Sequence, residues 1–138
     1  QAVLRGHSRA VNTVAFTPDG KRLVTGSSDL TAIVWDVATE RRLTTLQHTA
    51  PVVGAAVSQD GKLIATATDN GGVKIWHSGP IVSIRPLPVA AKMEAVAVSR
   101  DGRRLAVRSG PTSLWSIDTR GGDRARGRRD RVGRGWWR

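Results

Sequence analysis

A chain of 138 residues has room for one domain, and a 39% hydrophobic content, spread over residues 10–117, excludes a wholly disordered polymer for that stretch. No apolar run approaches the roughly 20 residues of a membrane helix, no signal-peptide pattern opens the chain, and the absence of Cys excludes disulfides and thiolate metal sites. The net charge of +11 is uneven: residues 120–138 hold eight Arg against Asp123 and Asp130, whereas residues 1–119 hold fourteen Lys and Arg against nine acids. The chain is accordingly divided into a domain over 1–119 and a basic, Arg/Gly-rich disordered tail over 120–138, and is expected to be soluble and cytoplasmic.

Taken in chain order, Ala2-Val3-Leu4 reads as an orphan strand belonging to a unit ahead of the first His. "VNTVAFT" from residue 11 alternates along a strand, and Pro18-Asp19-Gly20 supplies hairpin turn chemistry. "RLVTGSS", "AIVWDV" and "RRLTTL" give three more strands rich in residues that suit a pleated surface. Strands follow at 52–58, 63–68, 73–77 and 81–87, where Pro86 and Pro88 predict an outer edge because proline cannot donate to a ladder. Further strands are expected at 94–99, 103–109 and 113–117, with no fourth strand after them.

These elements repeat. Asp19-Gly20, Asp60-Gly61 and Asp101-Gly102 are 41 residues apart; Trp35 and Trp76 share that spacing, and Trp115 follows at 39. A fixed period of this length indicates one four-stranded unit per repeat. No segment carries a 3.6-residue apolar period, so the reading is all-β: three consecutive four-stranded antiparallel units at about 8–46, 49–88 and 90–118, the third incomplete.

"RGHSRAVNTVAFTPDGKRLVTGSSDLTAIVWDV" resembles a WD repeat of the β-propeller family, with its Gly-His opening, its turn and its closing Trp-Asp at the family's spacing; the resemblance covers about residues 4–117. It implies propeller blades, each fastened by a buried network that falls here on His7, Thr25, Asp29 and Trp35. The chemistry is self-consistent: Asp accepts from one imidazole nitrogen, the other nitrogen accepts from Thr, and the indole N–H supplies a further donor. The second copy keeps His48, Thr66 and Trp76, with Asn70 at the acid position, or Asp69 if the turn is one residue longer. In the third, Val89 and Val107 replace His and Thr, and only Trp115 remains.

Competing readings of the same residues are weaker. His7, Ser27 and Asp29 are the types of a nucleophilic triad, but an enzyme has no use for a near copy of its triad in a second repeat. No catalytic residue and no cofactor is expected. Three His without Cys, two of them claimed by the repeat, do not make a metal site. "GHSRAVN" and "DNGGVK" lack the spacing and the helix of a phosphate loop. The tail admits three readings: a nucleic-acid-binding segment with Trp136 and Trp137 for stacking, a solvated linker, or an out-of-frame translation of GC-rich DNA, the last being favoured.

Three blades make an arc, since propellers close with four or more. The chain is therefore expected to be a fragment of a longer array cut at Gln1, in preference to half of a two-chain ring. A rigid scaffold with variable loops suits docking rather than chemistry. The expected function is a non-catalytic scaffold, part of a larger bacterial-type protein, that binds a protein or peptide through loops carrying Arg9, Leu30 and Pro51. The alternative is a nucleic-acid-associated protein acting through the tail. No membrane partner is expected.

Overall fold

The computed structural model describes residues 1–77 and 92–109, together with the backbone of strands at 83–88, 113–118 and 128–129. It is all-β among these residues, with strands β1 (Val11–Phe16), β2 (Arg22–Ser27), β3 (Thr31–Asp36), β4 (Arg41–Gln47), β5 (Val52–Val57), β6 (Leu63–Thr68), β7 (Gly72–His77), β8 (Ser83–Pro88), β9 (Ala95–Val98), β10 (Arg104–Ser109), β11 (Ser113–Asp118) and β12 (Arg128–Arg129). They form three antiparallel sheets in the orders β1-β2-β3-β4, β5-β6-β7-β8 and β9-β10-β11-β12. Each sheet follows the chain without a crossover.

The first hairpin of every sheet closes through the same device. Gly20, Gly61 and Gly102 have φ of 68°, 70° and 67°, a left-handed conformation that a Cβ disfavours. Ahead of each glycine an Asp accepts from the hydroxyl two residues back and from the N–H two residues on. The hydroxyl distances are 2.6 Å for Thr17–Asp19, 2.5 Å for Ser58–Asp60 and 2.6 Å for Ser99–Asp101, and the three N–H contacts, from Lys21, Lys62 and Arg103, are all 3.0 Å. These bonds outweigh burial and hold the three carboxyls below the usual carboxylate range.

The core lies between the sheets. Alternation along each strand sends Val24, Ala32, Val34 and Leu46 of the first sheet against Val52, Ile64 and Trp76 of the second. The opposite face of the second sheet, with Ala65, Ala67, Val73 and Ile75, meets Met93, Leu105 and Val107 of the third. Gly26 permits the first junction, since a Cβ there would stand 2.5 Å from Val52 Cγ1. Asn12 Nδ2 donates to the Val52 carbonyl at 3.0 Å across the same junction.

Two expectations are corrected. Ala2-Val3-Leu4 forms no strand: an extended segment becomes a strand only with a ladder partner, none lies beside it among the described residues, and Val3 is exposed. The third sheet does have a fourth strand, although of two residues only. Arg128 and Arg129, in the segment assigned to the tail, pair with Ser116 and Trp115. The outer position of β8 agrees with its prolines.

Candidate functional site

The 41-residue period places equivalent polar residues at equivalent sheet positions. Thr25 on β2 and Thr66 on β6 are buried hubs. In the first sheet the Trp35 indole N–H donates to Thr25 Oγ1 at 2.9 Å, and the Thr25 hydroxyl lies 2.7 Å from His7 Nε2. His7 Nδ1 is 2.8 Å from Asp29 Oδ2, which also accepts the Ser8 N–H at 3.0 Å. A carboxylate only accepts, so Nδ1 carries the proton and Nε2 accepts from Thr25. All four residues named for this network come together, with the His7 and Asp29 side chains 6% and 8% exposed.

Thr31 is a fifth member that sequence reasoning missed: its hydroxyl and N–H donate to Asp29 Oδ1 at 2.6 Å and 3.0 Å. The signal was present, because a Thr two residues after Asp is placed to satisfy the second carboxylate oxygen. Burial alone would raise the Asp29 carboxyl, but donation from Thr31, His7 and Ser8 outweighs it and lowers the pKa to about 2.

The second sheet repeats the relay with a different terminus. Trp76 Nε1 donates to Thr66 Oγ1 at 2.9 Å, and Thr66 lies 2.7 Å from His48 Nε2. His48 Nδ1, however, is 3.1 Å from the Leu46 carbonyl. Asn70 is not brought to the imidazole: its Oδ1 accepts from Thr68 Oγ1 at 2.8 Å and closes a local turn instead. Asp69 has no side-chain bond to His48 either; its N–H donates to the Pro51 carbonyl. An amide lacks the charge that draws a carboxylate to the imidazole, and a backbone carbonyl two residues before His48 supplies the acceptor at no further ordering cost.

Electrostatics differ accordingly. Lys74 Nζ donates to the Gln47 carbonyl at 3.0 Å and lies 5.6 Å from the Trp76 ring centroid. Burial pushes the His48 pKa down to about 4, against the opposing pull of the Leu46 carbonyl and with help from Lys74. In the third sheet Val107, at the hub position, is fully buried in apolar contacts; Val89 lies outside the described residues.

The loop residues gather at the opposite end from the first-hairpin turns. The Ser27 hydroxyl donates to the Arg9 carbonyl at 3.3 Å, His48 N–H to the Leu30 carbonyl at 2.9 Å, and Asp69 N–H to the Pro51 carbonyl at 3.0 Å. Arg9 is exposed, Pro51 half-buried, and Leu30 is held at φ 70° with its side chain 38% exposed. These contacts fix the loop backbones while leaving the Arg9 and Leu30 side chains to solvent. Among the described residues no three His, Asp or Glu converge as metal ligands, and no helix is long and apolar enough to cross a membrane.

Known proteins are similar to the chain in sequence and in fold. The chain is 44% identical over 54 residues to the ribosome biogenesis protein bop1 of Danio rerio, spanning 39% of this chain and 7% of that protein. It is 50% identical over 42 residues to Protein Mut11 of Chlamydomonas reinhardtii, spanning 30% of this chain and 11% of that protein. These organisms lend no support to a bacterial-type origin. The solved structure of U3-55K superposes with a TM-score of 0.80 at 23% identity over 86% of this chain and 38% of that one, a likeness of fold. The family model for the WD domain, G-beta repeat, matches residues 1–36 and 40–77, running in the second case from the outer strand of one sheet through the third strand of the next. Those residues are more than half of the chain, which therefore belongs to the WD40 repeat family.

Proposed function

We propose that the chain is a non-catalytic platform that holds a protein or peptide partner on the loop end bearing Arg9, Leu30 and Pro51. The observation that carries this reading is the closure of the polar network. Both nitrogens of His7 and of His48 are engaged within the chain, and among the described residues no buried side-chain nitrogen or oxygen lacks a partner. A general base needs a free lone pair in reach of substrate, and these imidazoles have none to offer. Arg9 supplies a long charged contact of the kind enriched at binding hot spots, and Leu30 an apolar one, both on a rigid backbone.

Peptides selected from a displayed library on the folded chain test this directly. The reading expects Arg9→Glu with Leu30→Asp to abolish binding of most selected peptides while leaving the urea midpoint unchanged. Peptides that bind the variant as well as the wild type would overturn it.

The same platform is proposed to sit within a larger assembly. Val14 and Phe16 are 60% and 59% exposed, yet their equivalents 41 residues on, Ala55 and Val57, pack against the first sheet. The occupant that the repeat itself supplies for this face is another sheet, from the parent chain or from a second copy. A cytoplasmic setting belongs to the same proposal and rests on the sequence.

A further inference from the structure

The three first-hairpin turns carry a charge pattern that the loop-end platform does not use. Each Asp-Gly is followed by cations: Lys21 and Arg22, then Lys62, then Arg103 and Arg104, with Arg100 ahead of the third. Five of the six are exposed and Arg22 is half-buried. The accompanying carboxylates, Asp19, Asp60 and Asp101, each accept two bonds inside their own turn. Among the described residues none of the six cations is in an ion pair; the pairs present are His7 with Asp29 and Arg108 with Glu94.

The turns share one end of the array. Asn12 reaches the Val52 carbonyl, so β1 and β5 start together. Gly54 near the start of β5 lies against Val96 near the start of β9, and the third turn meets the second, a Cβ on Gly102 standing 3.6 Å from Ser58 Cβ. The first strands therefore run side by side in one direction, and stacked sheets about 10 Å apart set the turns in a row. The β3–β4 turn falls at this end too, where Asp36 and Glu40 equal Arg41 and Arg42 in number and Asp36, opposite Arg22, also attracts that cation. What is left is a row of six cations against Asp19, Asp60 and Asp101, which attract them from the same turns, so the surplus of positive charge lies on the first and third turns and is largest at the third, where Arg100, Arg103 and Arg104 face one carboxylate.

We propose that this row of turns binds the phosphate backbone of a single-stranded nucleic acid. Lys and Arg at regular intervals match a linear polyanion, whose binding releases counterions with each phosphate neutralised. A single strand bends to follow an arc of turns, whereas a duplex is stiff over this length. A membrane surface is disfavoured because Pro18, Gln59 and Arg100 occupy the turn tips, with no large apolar side chain to insert. This surface is distinct from the tail and from the loop end.

Fluorescence anisotropy of a labelled oligo-dT of 20 nucleotides across a salt series tests it on the whole chain. The triple variant Lys62→Gln, Arg103→Gln, Arg104→Gln changes only exposed side chains. It is expected to bind at least about tenfold more weakly at low salt, with the slope of log K against log salt shallower by about 2, near 0.7 per lost phosphate contact. The tail variant Arg124→Gln, Arg126→Gln, Arg131→Gln, Arg134→Gln is expected to show the same weakening when the triple change is added to it. The proposal is overturned if the whole chain does not bind at low salt, or if the triple variant binds like wild type. It is also overturned if poly-glutamate of equal charge binds the row more tightly than the strand does, which would assign the row to an acidic protein.

Discussion

Acidification from pH 7.5 to pH 5 acts on the second sheet through one side chain. His48 has Nδ1–H committed to the Leu46 carbonyl and Nε2 committed as an acceptor to Thr66, whose oxygen is already taken by the Trp76 indole. A second proton turns Nε2 into a donor facing a hydroxyl that was itself donating, and it brings a charge beside Lys74. The folded-state pKa of about 4 lies below the ordinary 6.5, so the stabilisation is complete above pH 6.5 and is lost as the pH falls toward 4. Linkage between those values gives a loss of up to about 2 kcal/mol at pH 5. Urea unfolding followed by tryptophan fluorescence, at both pH values, on wild type and His48→Gln measures it. The variant is less stable at pH 7.5 and loses the pH dependence. Equal losses in the two proteins would refute the reasoning. Asp29 does not interfere, because its pKa is lowered to about 2 and its stabilisation is lost only as the pH falls below 3.8.

Thr25→Val leaves the Trp35 indole N–H without its acceptor and His7 Nε2 without its donor, and should cost about 2–3 kcal/mol by urea unfolding; a loss under about 0.5 kcal/mol would count against the relay. Gly26→Val drives a side chain into Val52 at the first junction, with an expected cost of about 3 kcal/mol, and an unchanged midpoint would show that the sheets do not pack there. Val107→Thr puts into the third sheet the residue that the other two carry at that position. Because it buries a hydroxyl among Met93 and Leu105, it should destabilise by about 1–3 kcal/mol, and a neutral or stabilising outcome would mean that a relay partner exists in that sheet.

Most strands could be read from the sequence because local alternation and turn chemistry agree: the run expected at 63–68 is β6 itself, and the Asp-Gly turns recur at every first hairpin. Side chain to side chain bonds within one repeat were legible for the same reason, since His7, Thr25, Asp29 and Trp35 have fixed positions in a fixed register. The acceptor for His48 was not, because it is a backbone carbonyl, and every residue has one. Asn70 looked equivalent to Asp29 by position, but its amide finds Thr68 closer at hand. Ala2-Val3-Leu4 and Arg128-Arg129 failed in opposite directions for one reason: pairing is a property of the neighbour. An apolar triplet without a ladder stays coil, while two arginines beside Trp115 and Ser116 become a strand.

The two imidazoles are internal fasteners with a fixed proton position. Long-range 1H–15N correlation of the histidine rings at pH 7.5 reads that position directly. His7 and His48 are expected as Nδ1–H tautomers, with Nε2 in the shift range of an unprotonated nitrogen, and both indole protons of Trp35 and Trp76 are expected to exchange slowly. Nε2–H tautomers, or imidazole shifts averaged as in free histidine, would contradict it.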